Sequence, residues 1–107
     1  MAIHTVNLPS ITIASGASTS NALPDLTDIV AIGISSPATL TGNVTVQVEP
    51  TSSGTSFNNL VSGGVTVTVP TAAFIVISYC PFKQMRFVSD AAEGATRTFV
   101  LTKTVAI

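Results

Sequence analysis

Apolar and polar residues alternate along several stretches of the chain, most clearly near its middle. In residues 43–49 (NVTVQVE), Val44, Val46 and Val48 fall on one side and polar residues fall on the other. Residues 65–69 (VTVTV) repeat the same two-residue period. In a β-strand this period places one face on a core and the other in water. Each stretch therefore predicts a half-buried strand.

Two other stretches are apolar with little or no alternation. Residues 74–77 (FIVI) are four apolar residues in succession, which predicts a strand buried on both faces. Residues 29–34 (IVAIGI) also predict a strand, but Ala31 and Gly33 are small. We therefore expect another part of the molecule to pack closely against the side that carries Ala31 and Gly33.

Turn-forming residues separate these strands. Residues 15–28 and 50–59 are rich in Gly, Ser, Asn, Asp or Pro and predict long loops, while Ser62-Gly63-Gly64 predicts a tight turn. Residues 3–8 and 98–107 predict terminal strands, and no stretch of about 11 residues has the apolar spacing of a helix. The chain is therefore predicted to be all-β.

The fold class predicted for residues 1–107 is one domain, an antiparallel β-sandwich or jelly roll of roughly eight short strands without a substantial helix. The alternating and apolar stretches together supply the expected core. That core is Val44, Val46, Val48, Val65, Val67, Val69, Phe74, Val76, Phe87, Phe99 and Leu101.

The composition is unusually apolar for a chain of this kind. Hydrophobic residues make up 46% and charged residues 8%, whereas soluble domains carry about 25% charged residues. Polar residues interrupt every apolar run, so no stretch reaches the ~18 apolar residues of a membrane-spanning helix. Much of the surface is instead expected to be covered by neighbouring proteins, because the centres of protein interfaces are depleted in charge.

Charge and cysteine content exclude further classes of protein. Four cations among five acids, with a net charge of -1, do not form the basic patch that nucleic acid binding requires. Cys80 is the sole cysteine, so it forms no internal disulfide and gives no indication of an oxidising compartment. Residues 1–10 do not resemble a signal peptide. We expect a chain that stays in the cytoplasm where it is made, or leaves it as part of a larger assembly.

Residues suited to metal binding or nucleophilic catalysis are scarce. His4 and Cys80 are the single histidine and cysteine, too few for a transition-metal site and far too few for the histidine cluster of a cupin. A nucleophile would need His4 as its base, and nothing in the sequence brings His4 near Cys80 or a serine. His4 is expected at the surface or an interface, and Cys80 in or near the core.

Carboxylates and aromatic residues offer little more. Asp25 with Asp28, and Asp90 with Glu93, lie in turn-rich segments where acidic side chains usually accept hydrogen bonds from the backbone. A sugar-binding surface would need exposed aromatic residues, and the chain has no Trp and one Tyr, Tyr79. We therefore expect a protein that is not an enzyme, with no catalytic residues, no cofactor and no metal.

The order of several short motifs resembles a known class of viral proteins. These motifs are ITIASGASTSNAL early in the chain, IGISSPATLTG, the turn SGTSFNNL, and MRFVS followed by ATRTFVL. The chain resembles the small β-sandwich virion proteins of tailed bacteriophages, in which turns of the form S-x-D-G-x-x-F-x-x-L recur. The resemblance covers most of the chain. Ser53 and Asp90 depart from it, since Asp and Gly are common at those positions.

The resemblance implies a structural role without chemistry. We expect a capsid decoration, or cement, protein that binds the major capsid protein on the surface of the assembled virion after synthesis in the host cytoplasm. It also implies self-association, commonly as a trimer, with no nucleic acid or membrane partner. Contacts with the capsid would use loops 15–28 and 50–59 and the termini. Two alternatives are a neck, collar, head-fibre or tail protein, and a glycan-binding module that uses Tyr79.

Overall fold

A computed structural model describes residues 3–23, 26, 29–51, 56–78 and 80–106. Over these residues the chain forms eleven β-strands and no helix, which confirms the predicted all-β class. In chain order the strands are β1 (Ile3–Asn7), β2 (Ile11–Ile13), β3 (Ile29–Ser35), β4 (Val44–Glu49), β5 (Asn58–Asn59), β6 (Val61–Ser62), β7 (Val65–Thr66), β8 (Thr68–Val69), β9 (Phe74–Ile77), β10 (Gln84–Ser89) and β11 (Arg97–Ala106).

The first sheet is built around β11, the longest strand. Its order is β1-β11-β3-β9, and β2 pairs with the start of β11. All of these pairs are antiparallel. Pro9 lies between β1 and β2. Proline has no backbone N–H to donate, and at this position outside the strands no sheet hydrogen bond is lost. In the described part of the chain, β1 and β9 are the outer strands of this order.

The second sheet is built on the antiparallel pair β4 and β10. The outer edge of β4 is paired with β5 at one end and with β8 at the other. The outer edge of β10 is lined by residues of the connection between β2 and β3: the Ser20 N–H donates to the Phe87 carbonyl (2.9 Å), and Leu23 and Met85 exchange two backbone bonds (2.7 and 3.1 Å). Much of the predicted loop 15–28 is thus fixed along β10.

Strands β6 and β7 form a small hairpin that projects between β5 and β8. Its turn is Gly63-Gly64, with φ angles of 61° and 81°. Glycine adopts this left-handed region without steric cost, so the tight turn predicted at Ser62-Gly63-Gly64 is confirmed. The hairpin divides the predicted strand 65–69 into two. Short strands of this kind raise the number above the eight or so that the sequence indicates.

The core lies between the two sheets. Phe87 from the second sheet and Phe99 from the first are fully buried, and their rings meet edge to face with centroids 4.8 Å apart. Val48 and Val67 are partly buried and pack against this core. The predicted core residues that are buried are Val44, Val46, Val69, Phe87, Phe99 and Leu101.

Three predicted core residues are on the surface instead. Val65 is 68% exposed, and Phe74 and Val76 are each 61% exposed. Val65 lies in the β6–β7 hairpin, in which all four strand residues are exposed. Phe74 and Val76 point away from the core, so the prediction that residues 74–77 are buried on both faces is wrong.

The prediction of close packing against Ala31 and Gly33 is confirmed at Gly33. A Cβ atom at Gly33 would lie 2.5 Å from the Phe74 ring and 2.8 Å from the Thr102 hydroxyl oxygen. The Phe74 ring therefore occupies the space that a larger residue at position 33 would need. Gly33 and Val76 are paired in the ladder, and Phe74 lies two residues from Val76 on the same face of the sheet.

Candidate functional site

The two residues best suited to nucleophilic chemistry lie far apart. His4 is exposed on β1, and Cys80 follows β9 by three residues. Because β1 and β9 are opposite outer strands, three strand spacings of about 4.8 Å each separate them. The structure thus does not bring His4 and Cys80 together. Cys80 is half-buried and packs against the core as predicted, and burial raises the pKa of its thiol to about 11.

The predicted carboxylate pairs behave as turn residues where they are described. Asp25 and Asp28 lie outside the described residues, as does Tyr79. Asp90 accepts hydrogen bonds from the backbone N–H (2.8 Å) and side-chain amide (3.2 Å) of Asn43. Glu93 is 1% exposed, so a substrate could not reach it. Asp90 and Glu93 therefore organise the backbone, as the sequence predicts for the pair.

Glu93 joins the distant loop at Thr41 and Gly42 to the chain on both sides of itself, at Ser89 and Arg97. Its carboxylate accepts hydrogen bonds from the N–H groups of Thr41 (2.8 Å) and Gly42 (3.0 Å), from the Ser89 hydroxyl (2.7 Å) and from the Arg97 guanidinium (2.9 Å). Burial alone would raise the pKa of Glu93. The four donors stabilise the charged carboxylate and outweigh burial, so the pKa is lowered to about 2. Glu93 is therefore ionised in the folded protein at neutral pH.

Glu49 has a similar position at the other end of the β4–β10 pair. It is fully buried at the end of β4 and accepts hydrogen bonds from the Ser56 N–H (2.7 Å) and the Gln84 side-chain amide (3.4 Å). Glu93 lies just beyond β10, at the end where Ser89 pairs with Val44. The alternation in residues 43–49 predicts Glu49 on the water-facing side of its strand, and its burial shows that this prediction is wrong at the end of the strand. Glu93 stands in a segment rich in turn-forming residues, where nothing in the local sequence indicates burial.

Two of the four cations are held by neighbouring side chains. Arg97 forms an ion pair with Glu93. Arg86 donates to the Gln47 side chain (2.9 Å), and its guanidinium lies 4.3 Å from the centre of the Phe57 ring. Within the described residues, no group of three or more His, Cys, Asp or Glu side chains could hold a metal ion.

An exposed apolar region lies along β9. Phe74 and Val76 project from the outer face of the first sheet, and neither β9 nor the residues paired with it carry a charge. Beside them is a groove of about 260 Å³ between β9 and the β6–β7 hairpin, lined mainly by apolar residues that include Leu60, Val61 and Pro81. We call Phe74, Val76 and this groove the β9 edge.

The sequence contained one signal for the β9 edge. The small residues of β3 indicated that something packs over them, and Phe74 is that residue. A run of four apolar residues does not itself show which side chains face a core. A contiguous exposed apolar surface is typical of protein–protein contact, so the β9 edge is the candidate functional site.

Across the residues that the structure describes, no helix has the length and apolar character needed to cross a membrane. Comparison with known proteins gives no guide to the role of this surface. No protein-family model, no curated protein and no solved structure matches the chain.

Proposed function

We propose that this chain is a non-enzymatic structural protein of a tailed-phage virion, and that it binds the assembled capsid and reinforces it. The observation that carries the binding role is a set of large hydrophobic side chains on the surface of a protein with 8% charged residues. These exposed residues are Val6, Val30, Val61, Val65, Phe74, Val76 and Val100.

The character of this surface favours a protein partner. Interface centres are depleted in charge and enriched in apolar groups, which describes the outer face near β9. Nucleic acid would instead need several free cations, and Arg97 and Arg86 are engaged by Glu93 and by Gln47 with Phe57. The proposed partner is the major capsid protein, and this choice rests on the sequence resemblance to decoration proteins.

Binding and reinforcement are linked through mass action. A protein that binds only the assembled shell lowers the free energy of that state and leaves the free subunits unaffected. Such a protein gains from a fold that does not rearrange on binding, because ordering on binding costs free energy. The buried glutamates support this role, since Glu93 and Glu49 hold loops at both ends of the β4–β10 pair.

The test is deletion of the gene from the phage that encodes the chain. The proposal predicts that particles still assemble without the protein but release DNA at a lower temperature than complete particles. Adding back the purified protein should restore the release temperature. If particles with and without the protein release DNA at the same temperature, the reinforcing role is wrong.

The number of copies in each particle separates the shell from other locations. Hundreds of copies, measured by quantitative mass spectrometry of purified particles, would support a shell protein. About a dozen copies would place the protein at the neck or tail and contradict the decoration role. Absence from purified particles would contradict the virion proposal altogether.

A further inference from the structure

The edge strands of the two sheets differ in whether their outer backbone groups are hydrogen-bonded. The edge of β10 is lined by backbone bonds with Ser18, Ser20 and Leu23, and the edge of β4 is paired with β5 and β8. In the described part of the chain, β9 pairs with β3 on one side and with no strand on the other. Open edges normally carry protective features such as Lys, Pro or a bulge. β9 (FIVI) has none of these.

The register of β3 and β9 fixes which backbone groups face the open side. The Ser36 N–H donates to the Ala73 carbonyl (2.9 Å), so these residues form a hydrogen-bonded pair. Such pairs recur at every second residue of an antiparallel ladder, which directs Ile75 and Ile77 towards β3. The N–H and C=O groups of Phe74 and Val76 therefore point outward.

The outward backbone groups and the exposed side chains belong to the same two residues. Phe74 and Val76 each present one N–H, one C=O and an apolar side chain that is 61% exposed. An added strand would gain hydrogen bonds and apolar contact together. This combination is the usual basis of recognition by strand addition.

We propose that β9 pairs antiparallel with β9 of a second copy of the chain, about a two-fold axis near Ile75. In this register Phe74 of each copy lies opposite Val76 of the other. Both outward residues then enter hydrogen-bonded pairs, which gives four backbone bonds. Each Phe74 ring also lies beside a valine on the same sheet face, an arrangement that stabilises sheets.

A second copy suits this edge for two reasons. A two-fold contact uses the same patch on both partners, and the alternation at Phe74 and Val76 is self-complementary in that register. A symmetric contact also brings the charges of both copies of the patch close together, so an edge with charges of one sign would repel its partner. The residues of β9 and their partners on β3 carry no charge, and this cost is absent.

The apolar area that β9 can bury in the contact limits the affinity of the dimer. A phenylalanine that is 61% exposed offers on the order of 100 Å², and a valine offers less. Even with the groove beside β9, the apolar contact is well below the roughly 800 Å² that each partner buries in a standard interface. We therefore expect a reversible dimer with a dissociation constant on the order of 100 µM. The pairing does not depend on binding to a capsid.

Sedimentation velocity of the full chain tests the pairing. The wild-type protein should shift from monomer towards dimer between about 10 µM and about 1 mM. Val76→Lys should remain monomeric, because a lysine at the edge opposes strand addition. The matched control is Val100→Lys, which places the same charge on the same sheet face two strands away and should dimerise like wild type. Circular dichroism would confirm that both variants are folded.

A monomer at about 1 mM, or a Val76→Lys protein that dimerises normally, would overturn the proposal. A trimer would also overturn it, because a closed two-fold contact joins two copies only. Amide hydrogen exchange supplies a second readout without any substitution. Exchange at Phe74 and Val76 should slow as the protein concentration rises, while Ile75, already bonded to β3, should not change. Equal exchange at both concentrations would count against pairing through β9.

Discussion

Replacing Glu93 by glutamine should strongly destabilise the fold. The wild-type carboxylate is buried and accepts four hydrogen bonds, one of them from Arg97. In Glu93→Gln one oxygen becomes an NH₂ group that faces other donors, so about two of these bonds are lost. Hydrogen bonds to a charged group contribute about 1.5 to 3 kcal/mol each. We therefore expect a loss of roughly 3 kcal/mol in the free energy of unfolding.

Urea denaturation followed by far-ultraviolet circular dichroism measures this loss, since the chain contains no tryptophan. For a domain of this size the melting temperature should also fall by roughly 12 to 24 °C. The control is Asp90→Asn, which alters a carboxylate in the same segment that is exposed and bonded to Asn43 alone. It should cost less than about 1 kcal/mol, as surface changes generally do.

The pH dependence gives an independent check. The pKa of Glu93 falls from an ordinary value of 4.5 to about 2 in the folded state. The stability that this shift contributes is therefore present above pH 4.5 and is lost as the pH falls towards 2. The difference between wild type and Glu93→Gln should shrink over that range. A Glu93→Gln protein with the stability of wild type at pH 7 would refute the reasoning.

Three further predictions follow from the packing. Gly33→Ala should lower stability by about 1 kcal/mol, because its Cβ meets the Phe74 ring and the Thr102 hydroxyl, and the loss should become smaller in a Phe74→Ala background, as a double-mutant cycle would show. Phe99→Ala should cost about 3 to 5 kcal/mol in urea denaturation, whereas Val65→Ala in the exposed hairpin should change stability by less than about 0.5 kcal/mol. Cys80, whose pKa is raised to about 11, should react with iodoacetamide at pH 8 far more slowly than in urea-unfolded protein, and equal rates would contradict its burial.

The alternating pattern predicted the fold well where a strand lies across the centre of the sandwich. Val44 and Val46 are buried as their spacing indicates, and Val48 is partly buried and packs against the same core. Val65 follows the same period but lies in the exposed β6–β7 hairpin. Periodicity shows which residues share a face, and tertiary structure decides whether that face is covered.

The candidate site was harder to predict. Apolar runs predict buried residues, but Phe74 and Val76 project from the outer face of the first sheet, whereas Ile77 on the same strand faces the core. Glu93 was missed for a different reason. Thr41 and Gly42, which bind it, lie about fifty residues earlier in the chain, and no local pattern connects them.

The most direct test of the proposed function is binding of the purified protein to phage particles that lack it, measured by co-sedimentation at increasing salt. The contact surface proposed here is uncharged, and screening weakens charged contacts between about 0.05 and 0.5 M salt. We predict saturable binding whose affinity changes little over that range. Failure to bind, or binding that weakens steeply with salt, would contradict the account.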